Sequence, residues 1–468
     1  MPSRLLRTLN IRMVSVLAVA FAGTPLHGQV EQIAILRPDT PTTGFGSPVA
    51  MSGDFVIVAA SQDSGLGFLA GVAFVFHRSG DTWEQQTRLT ASDGVSYDRF
   101  GFAVAIDGDV IVVGAPHIDP VGVAPGAAYV FRRNGNAWIE EAILVSSGST
   151  NGDSFGWSVS VDGDRILVGA RSDSRAGFNE AGAAYVFRRN SGAWVEEAAL
   201  IASDAESGDL LGGSVAIEGD LLVVGAIGDD DGGNGTGAAY VFLYDGTHWV
   251  EETKLTAADP GEIDLFGFPV SLSDSQAFIG ALSNDINGQN SGAAYVFSRR
   301  NVGDWRQQKL APVQGEFNDF FRAGSIDGNL LIAGAPGDDS ACPGATSCDT
   351  GATYLFMRIG STWQQQLQFF ASDAVQPFGF GTTSWLDGKN AVVGSLRAAY
   401  VFSVERQPDG IPALSSWGLV AMLLLLLVLS KVFFRTRQNH KQLGRSRINA
   451  LCLPVLLSVI VQSVSKSG

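Results

Sequence analysis

The stretch Phe100-Gly101-Phe102-Ala103-Val104-Ala105-Ile106-Asp107-Gly108-Asp109-Val110-Ile111-Val112-Val113-Gly114-Ala115-Pro116, followed after a loop by Gly126-Ala127-Ala128-Tyr129-Val130-Phe131, decides the fold. Its three apolar runs have strand length, and Asp107-Gly108 accepts the positive φ of a tight hairpin turn. A fourth run spans Trp138 to Leu144. The same order recurs along the chain. Its first marker falls at Phe45-Gly46, Phe100-Gly101, Phe155-Gly156, Leu211-Gly212, Phe266-Gly267, Phe321-Arg322 and Phe378-Gly379, at intervals of 55 to 57 residues. A repeat this long holds four short strands and exceeds one coil of a β-helix. The sequence therefore predicts an all-β seven-bladed β-propeller with four-stranded antiparallel blades.

Within a repeat, Phe100 to Ile106, Val110 to Ala115, Gly126 to Arg132 and Trp138 to Leu144 read as strands one to four. The first three are apolar on both faces, as expected of sheets packed between neighbours. Small residues such as Gly101, Ala103 and Ala105 let the inner strands crowd near the axis, while Tyr129, Phe131 and Trp138 fill the wider space outside. Paired carboxylates on the fourth strand, Glu140-Glu141 and Glu196-Glu197, read as protection of an exposed edge. The repeat region opens with a fourth-strand equivalent, Val30 to Leu36, and stops at a third strand, Ala398 to Val404. The N-terminal strand is thus expected to complete the last blade and close the ring.

The termini differ in composition. Arg4, Arg7 and Arg12 before the apolar run Met13 to Ala22 give residues 1–28 the layout of a signal peptide, with a short anchor as the other reading. The propeller is assigned to 29–404 and a linker to 405–416. Residues 417–434 have the length and apolarity of a membrane helix, and 435–468 form a basic tail with a short apolar segment. Arg435, Arg437, Lys441, Arg445 and Arg447 place that side in the cytoplasm and the propeller outside it. Between Gln29 and Val404 there are 20 basic and 45 acidic residues, a net charge of −25. Such a surface repels nucleic acid and anionic lipid. Cys342 and Cys348 share one loop and are candidates for a disulfide staple in an exported chain, and the lack of a nearby His argues against a metal pair.

Val159, Asp162-Gly163-Asp164, Val168-Gly169-Ala170 and Ala184-Tyr185-Val186-Phe187, with Gly114-Ala115-Pro116 and Gly334-Ala335-Pro336, resemble the bacterial FG-GAP repeat family, relatives of the integrin α-subunit propeller. Integrin-type repeats often hold calcium in an Asp-rich loop between the first two strands. Here that loop is a turn such as Asp107-Gly108-Asp109, with too few oxygens for the six to eight ligands of Ca²⁺, so no metal and no cofactor is assigned. Ile411-Pro412-Ala413-Leu414-Ser415-Ser416-Trp417-Gly418 and the Leu-rich run after it look like an IPTL-type sorting signal, which implies an exosortase-like processing enzyme as a partner. Ala413 stands where Thr is usual and more than 30 residues follow Phe434, so anchoring is expected rather than release.

Candidate binding residues come from the long loops joining strands two and three: Asp229, Asp230, Asp231, Asn284, Asp285, Asp338 and Asp339. Carboxylates converging on one rim can bind a divalent cation or a basic partner. The recurring Asp98, Asp153, Asp209, Asp264 and Asp319 read as caps of their own turns. Six Trp at equivalent positions, from Trp83 to Trp363, read as packing between blades. Paired arginines, Arg132-Arg133, Arg188-Arg189 and Arg299-Arg300, read as solvated strand ends facing the acidic fourth strands. His77, His117 and His248 occupy unmatched positions and compose no catalytic constellation. The expectation is a non-catalytic surface binding or adhesion module for an extracellular protein or glycan. The alternative is an exported hydrolase or lyase acting on polysaccharide. An axial pocket lined by charges from several blades favours the enzyme, and a narrow axis the binder.

Overall fold

The computed structural model describes residues 29–117, 124–174, 177–313, 315–321, 323–341, 350–373 and 379–405. The segments read as signal peptide, membrane span and tail lie outside these residues, as do Cys342, Cys348, Cys452 and the linker with its sorting motif, except Glu405, which ends the last strand. Among the described residues no helix is long and apolar enough to cross a membrane.

Seven four-stranded antiparallel sheets follow one another along the chain. Blades 1 to 6 span 49–89, 103–144, 155–200, 211–255, 266–310 and 323–369, and blade 7 takes 383–405 together with the N-terminal strand. In blade 2 the strands are Ala103–Asp107, Val110–Ala115, Ala127–Asn134 and Ala137–Leu144. The first begins three residues later than expected, and its hairpin centres on Gly108-Asp109, with Gly108 at φ 52°. Closure is as expected. Gln29–Leu36 pairs antiparallel with Ala399–Glu405, Val30 opposite Val404 and Leu36 opposite Ala399.

The hydrophobic core lies between blades rather than within them. Phe100, Ile111, Val113, Tyr129 and Trp138 of blade 2 form one cluster with Ile57, Ala59 and Val75 of blade 1, and six further clusters repeat this around the ring. In blades 1 to 6 the second strand is buried at every position because it has a sheet against each face. Each marker Phe is buried edge-on to the third strand. Phe100 sits 5.3 Å from Tyr129 and 6.0 Å from Phe131, a placement whose burial contributes about 1.5–3 kcal/mol. The seventh marker is corrected. Phe380 occupies this slot, 5.4 Å from Tyr400 and 5.9 Å from Phe402, so the equivalent dipeptide is Phe380-Gly381 and not Phe378-Gly379.

Backbone contact between blades explains the recurring glycines. A Cβ on Gly114 would lie 2.0 Å from the carbonyl oxygen of Gly156 in the next blade, and one on Gly126 would lie 2.2 Å from that of Phe155. Gly126 also has φ +88°, a region L side chains rarely enter. The Phe155 N–H then donates to Pro125 O at 2.7 Å, a backbone bond joining two sheets. Nearer the axis, Ser160, Ser214, Ser271 and Ser325 accept the N–H groups of Ile217, Val270, Ile326 and Leu386 in the following blade.

Gly126→Ala is therefore expected to lower stability by roughly 3 kcal/mol or more, since strain and clash act together. Gly163 has φ +56° but nothing within 4 Å of its added Cβ, so Gly163→Asn should cost under about 1 kcal/mol. Urea unfolding of both variants checks this, and equal losses would contradict the inter-blade role.

Candidate functional site

The loops after the second and fourth strands emerge on one face, and that face carries the acidic residues singled out in the sequence. Asp229 is buried, and its Oδ2 accepts the Tyr240 hydroxyl at 2.8 Å and the Lys254 ammonium at 2.7 Å. Asp231 reaches the same ammonium at 2.7 Å and Asp204 at 3.0 Å, while Asp230 is exposed. Burial alone would favour loss of the Lys254 proton, but three carboxylates outweigh it and hold its pKa above the usual lysine value. In blade 5, Asn284 donates to Asp264 at 2.7 Å and accepts the Ile286 N–H, and Asp285 accepts the Asn290 N–H. In blade 6, Asp338 accepts Tyr354, Gln368 and the Ser340 N–H, with Asp339 half-buried beside it. The three sets share a face, yet each is engaged with its own blade and the loop that enters it. Among the described residues no group of three or more His, Cys, Asp or Glu is arranged to hold a metal ion.

The recurring aspartates close their own turns. Asp98, Asp153, Asp209, Asp264 and Asp319 accept the N–H three residues earlier, from Val95, Thr150, Glu206, Gly261 and Glu316, at 2.5–2.8 Å. Burial, with Asp338 and Glu316 adding repulsion, raises the Asp319 pKa to about 7. Third-strand tyrosines reach up to the same loops. Tyr129 donates to Asp93 at 2.8 Å and Tyr295 to Asp259 at 3.0 Å, and burial with these carboxylates keeps the phenols protonated.

The fourth-strand carboxylates do more than blunt an edge. Glu140 accepts both the N–H and hydroxyl of Ser92 in the preceding blade, as Glu196 does for Ser147 and Glu251 for Ser203. Glu141, Glu197 and Glu252 accept the indole N–H of Trp194, Trp249 and Trp305 in the following blade. Burial would raise the Glu252 pKa, but Arg299, the Gly303 N–H and Trp305 outweigh it and hold the carboxyl below its ordinary value. The tryptophans thus serve packing between blades, as expected, while the arginines face the acidic fourth strands, Arg132 and Arg188 within their own blade and Arg189 and Arg299 across to the preceding one. Their acidic partners are inter-blade ties, because each carboxylate lies at a sheet-to-sheet junction and not on a free edge.

Two features of this face were not read from the sequence. Apolar side chains stand exposed on its loops, among them Phe68, Phe178, Ile263, Ile286, Phe317 and Leu396, with Phe68 and Phe317 each 59 % exposed. Phe68 meets the Tyr97 ring at 5.3 Å across a blade boundary. The second feature is an axial cavity of about 790 Å³, where the small inner-strand residues leave space rather than closing the axis. Its mouth on the loop face includes Phe102, Trp157, Phe268 and Arg171. At the other mouth Asp107, Asp162, Glu218, Asp327 and Asp387 each accept a hairpin N–H from the next blade, with Ser52 and Ser273 completing the circle. The axis is thus wide and charged, not narrow.

Residues 83–131, 138–187, 194–242 and 249–297 match the FG-GAP repeat family, so this seven-bladed propeller carries FG-GAP repeats. Each matched segment starts at an outer-strand Trp and ends at a third-strand Phe of the following blade. No curated protein matches the chain.

Asp319 yields a pH prediction. Its folded-state pKa of about 7 exceeds the ordinary carboxyl value of about 4, so its protonation favours folding below that value, and this contribution is lost as pH rises through 7. Asp319→Asn keeps the acceptor for the Glu316 N–H without the charge. The variant should melt higher than the parent at pH 8, with the gap shrinking at pH 5. Thermal scans at both pH values check this, and a gap independent of pH would contradict it.

Proposed function

We propose that this chain is an exported, membrane-anchored propeller acting as a non-catalytic binding or adhesion module that presents its loop face to an extracellular protein or glycan. The observation that carries the reading is the set of exposed apolar side chains, Phe68, Phe178, Ile263, Ile286, Phe317 and Leu396, on loops of one face. Contiguous exposed apolar groups mark recognition surfaces, and on this face Phe68 packs against the Tyr97 ring of the next loop. The aspartates between them are bound to tyrosine, lysine or backbone N–H groups, which suits them to holding the loops. Export and anchoring are supported by the signal-like residues 1–28, the apolar 417–434 with its basic flank, and the acidic repeat region. The IPTL-like motif at Ile411 to Leu414 adds an exosortase-like enzyme as a processing partner.

A second reading, a hydrolase or lyase acting on polysaccharide, is favoured by the charged axial cavity. Against it, one oxygen of each carboxylate at that mouth is already committed to a backbone N–H. His77 stacks on Phe55 at 4.6 Å, and His117 pairs with Asp98 at 2.7 Å.

The full-length chain, applied to extracellular-protein and glycan arrays with and without chelator, is expected to bind one ligand class in both conditions. The double variant Phe68→Ser, Phe317→Ser should lose at least about tenfold in affinity without a change in melting temperature. Turnover of a polysaccharide panel, or undiminished binding by the double variant, would contradict the reading.

A further inference from the structure

A cation breaks the regularity of the repeat in blade 3. The residue after the second-strand Gly-Ala is Pro116, Ile227, Leu282 or Pro336 in blades 2, 4, 5 and 6, but Arg171 in blade 3. Its guanidinium lies 4.0 Å over the Trp157 ring, whose other neighbour, Phe102, is 4.5 Å away. Arg171 Nε is buried without a hydrogen-bond partner, and no carboxylate among the described residues forms an ion pair with the side chain. Burial lowers its pKa, offset in part by the charge of Glu180 on the loop above. A half-buried guanidinium held by stacking and not by a counter-ion is prepared for an anion.

The surroundings narrow the anion's class. A cavity of about 790 Å³ is sized for a small molecule or short oligomer rather than a protein surface. Phe102 at the mouth and Trp385 deeper in the channel offer ring faces, and inner-strand serines and threonines offer hydroxyls. Ring faces suit the C–H faces of sugars. Five carboxylates at the far mouth repel an anion, so a negative group is held at the Arg171 end.

We propose that the loop-face mouth of the axial cavity binds the carboxylate of an acidic saccharide, with Arg171, held on the Trp157 ring, as its counter-ion and Phe102 as a stacking surface. This deepens the reading of the chain as a binding module and rests on it.

Calorimetric titration of the full-length chain in detergent with trigalacturonate and with its neutral methyl ester tests the site. The acid should bind at least about tenfold more tightly than the ester, Arg171→Gln should abolish that difference, and Arg171→Lys should keep part of it. Trp157→Ala, which removes the platform under Arg171, should weaken the acid more than the ester. The acid-to-ester comparison on the unaltered protein needs no variant to fold. Equal affinity for acid and ester, an unchanged ratio in Arg171→Gln, absence of binding at millimolar concentration, or preference for a tri-glutamate peptide would each overturn the proposal. Array binding that persists in Arg171→Gln while trigalacturonate fails to bind overturns the axial site alone, whereas absence of any array ligand overturns the module reading.

Discussion

The close approach of backbone at the blade junctions is the constraint on which the rest depends. Gly114 against Gly156, Gly169 against Gly212, Gly225 against Gly267 and Gly334 against Gly381 place a glycine Cα where a Cβ would sit 1.9–2.0 Å from a carbonyl oxygen. The junction between the last and first blades repeats it, with Gly394 against Gly46 at 2.3 Å. These contacts bring neighbouring sheets near enough for the marker Phe to bury and for N–H groups such as that of Phe155 to bond across blades. The repeat is out of phase with the blade by one strand, so each copy contributes an outer strand to one sheet and three inner strands to the next. Copies phased in this way cannot be satisfied singly, and the ends of the array supply each other's missing partner.

Polar chemistry follows the same geometry. Outer-strand carboxylates bind serines of the preceding blade or indoles of the following one, and carboxylates at one axial mouth bind the hairpin ahead. Much of a strongly acidic chain's charge is thereby placed in hydrogen bonds that fix one blade against another. Such bonds to charged groups are worth about 1.5–3 kcal/mol each when well formed. The loop face keeps its own polar groups occupied and leaves apolar side chains outward, while the axis is asymmetric, with a cation near one mouth and carboxylates at the other.

Legibility in the sequence followed periodicity. The hairpin at Gly108, the buried second strand and closure by Gln29–Leu36 were readable because each recurs, or completes a recurring pattern, at a fixed offset. Phe380 was missed for Phe378 because two Phe-Gly pairs stand two residues apart there, and only packing on Tyr400 and Phe402 distinguishes them. Glu141 and Glu197 looked like edge charges because the sequence does not show that an indole of the next blade, more than 50 residues on, reaches them. Phe68, Phe317 and Arg171 carried no signal. They break the repeat instead of obeying it, and exposure or orphaned burial is a property of the assembled ring.

The ring closes because the N-terminal strand completes the last blade. Glu31 lies opposite Ser403 in that pairing. A chain carrying Glu31→Cys and Ser403→Cys, oxidised and mapped by peptide mass spectrometry, should give an intramolecular disulfide joining these positions and a raised melting temperature. Failure of the two cysteines to join, or their joining only between separate molecules, would contradict the account.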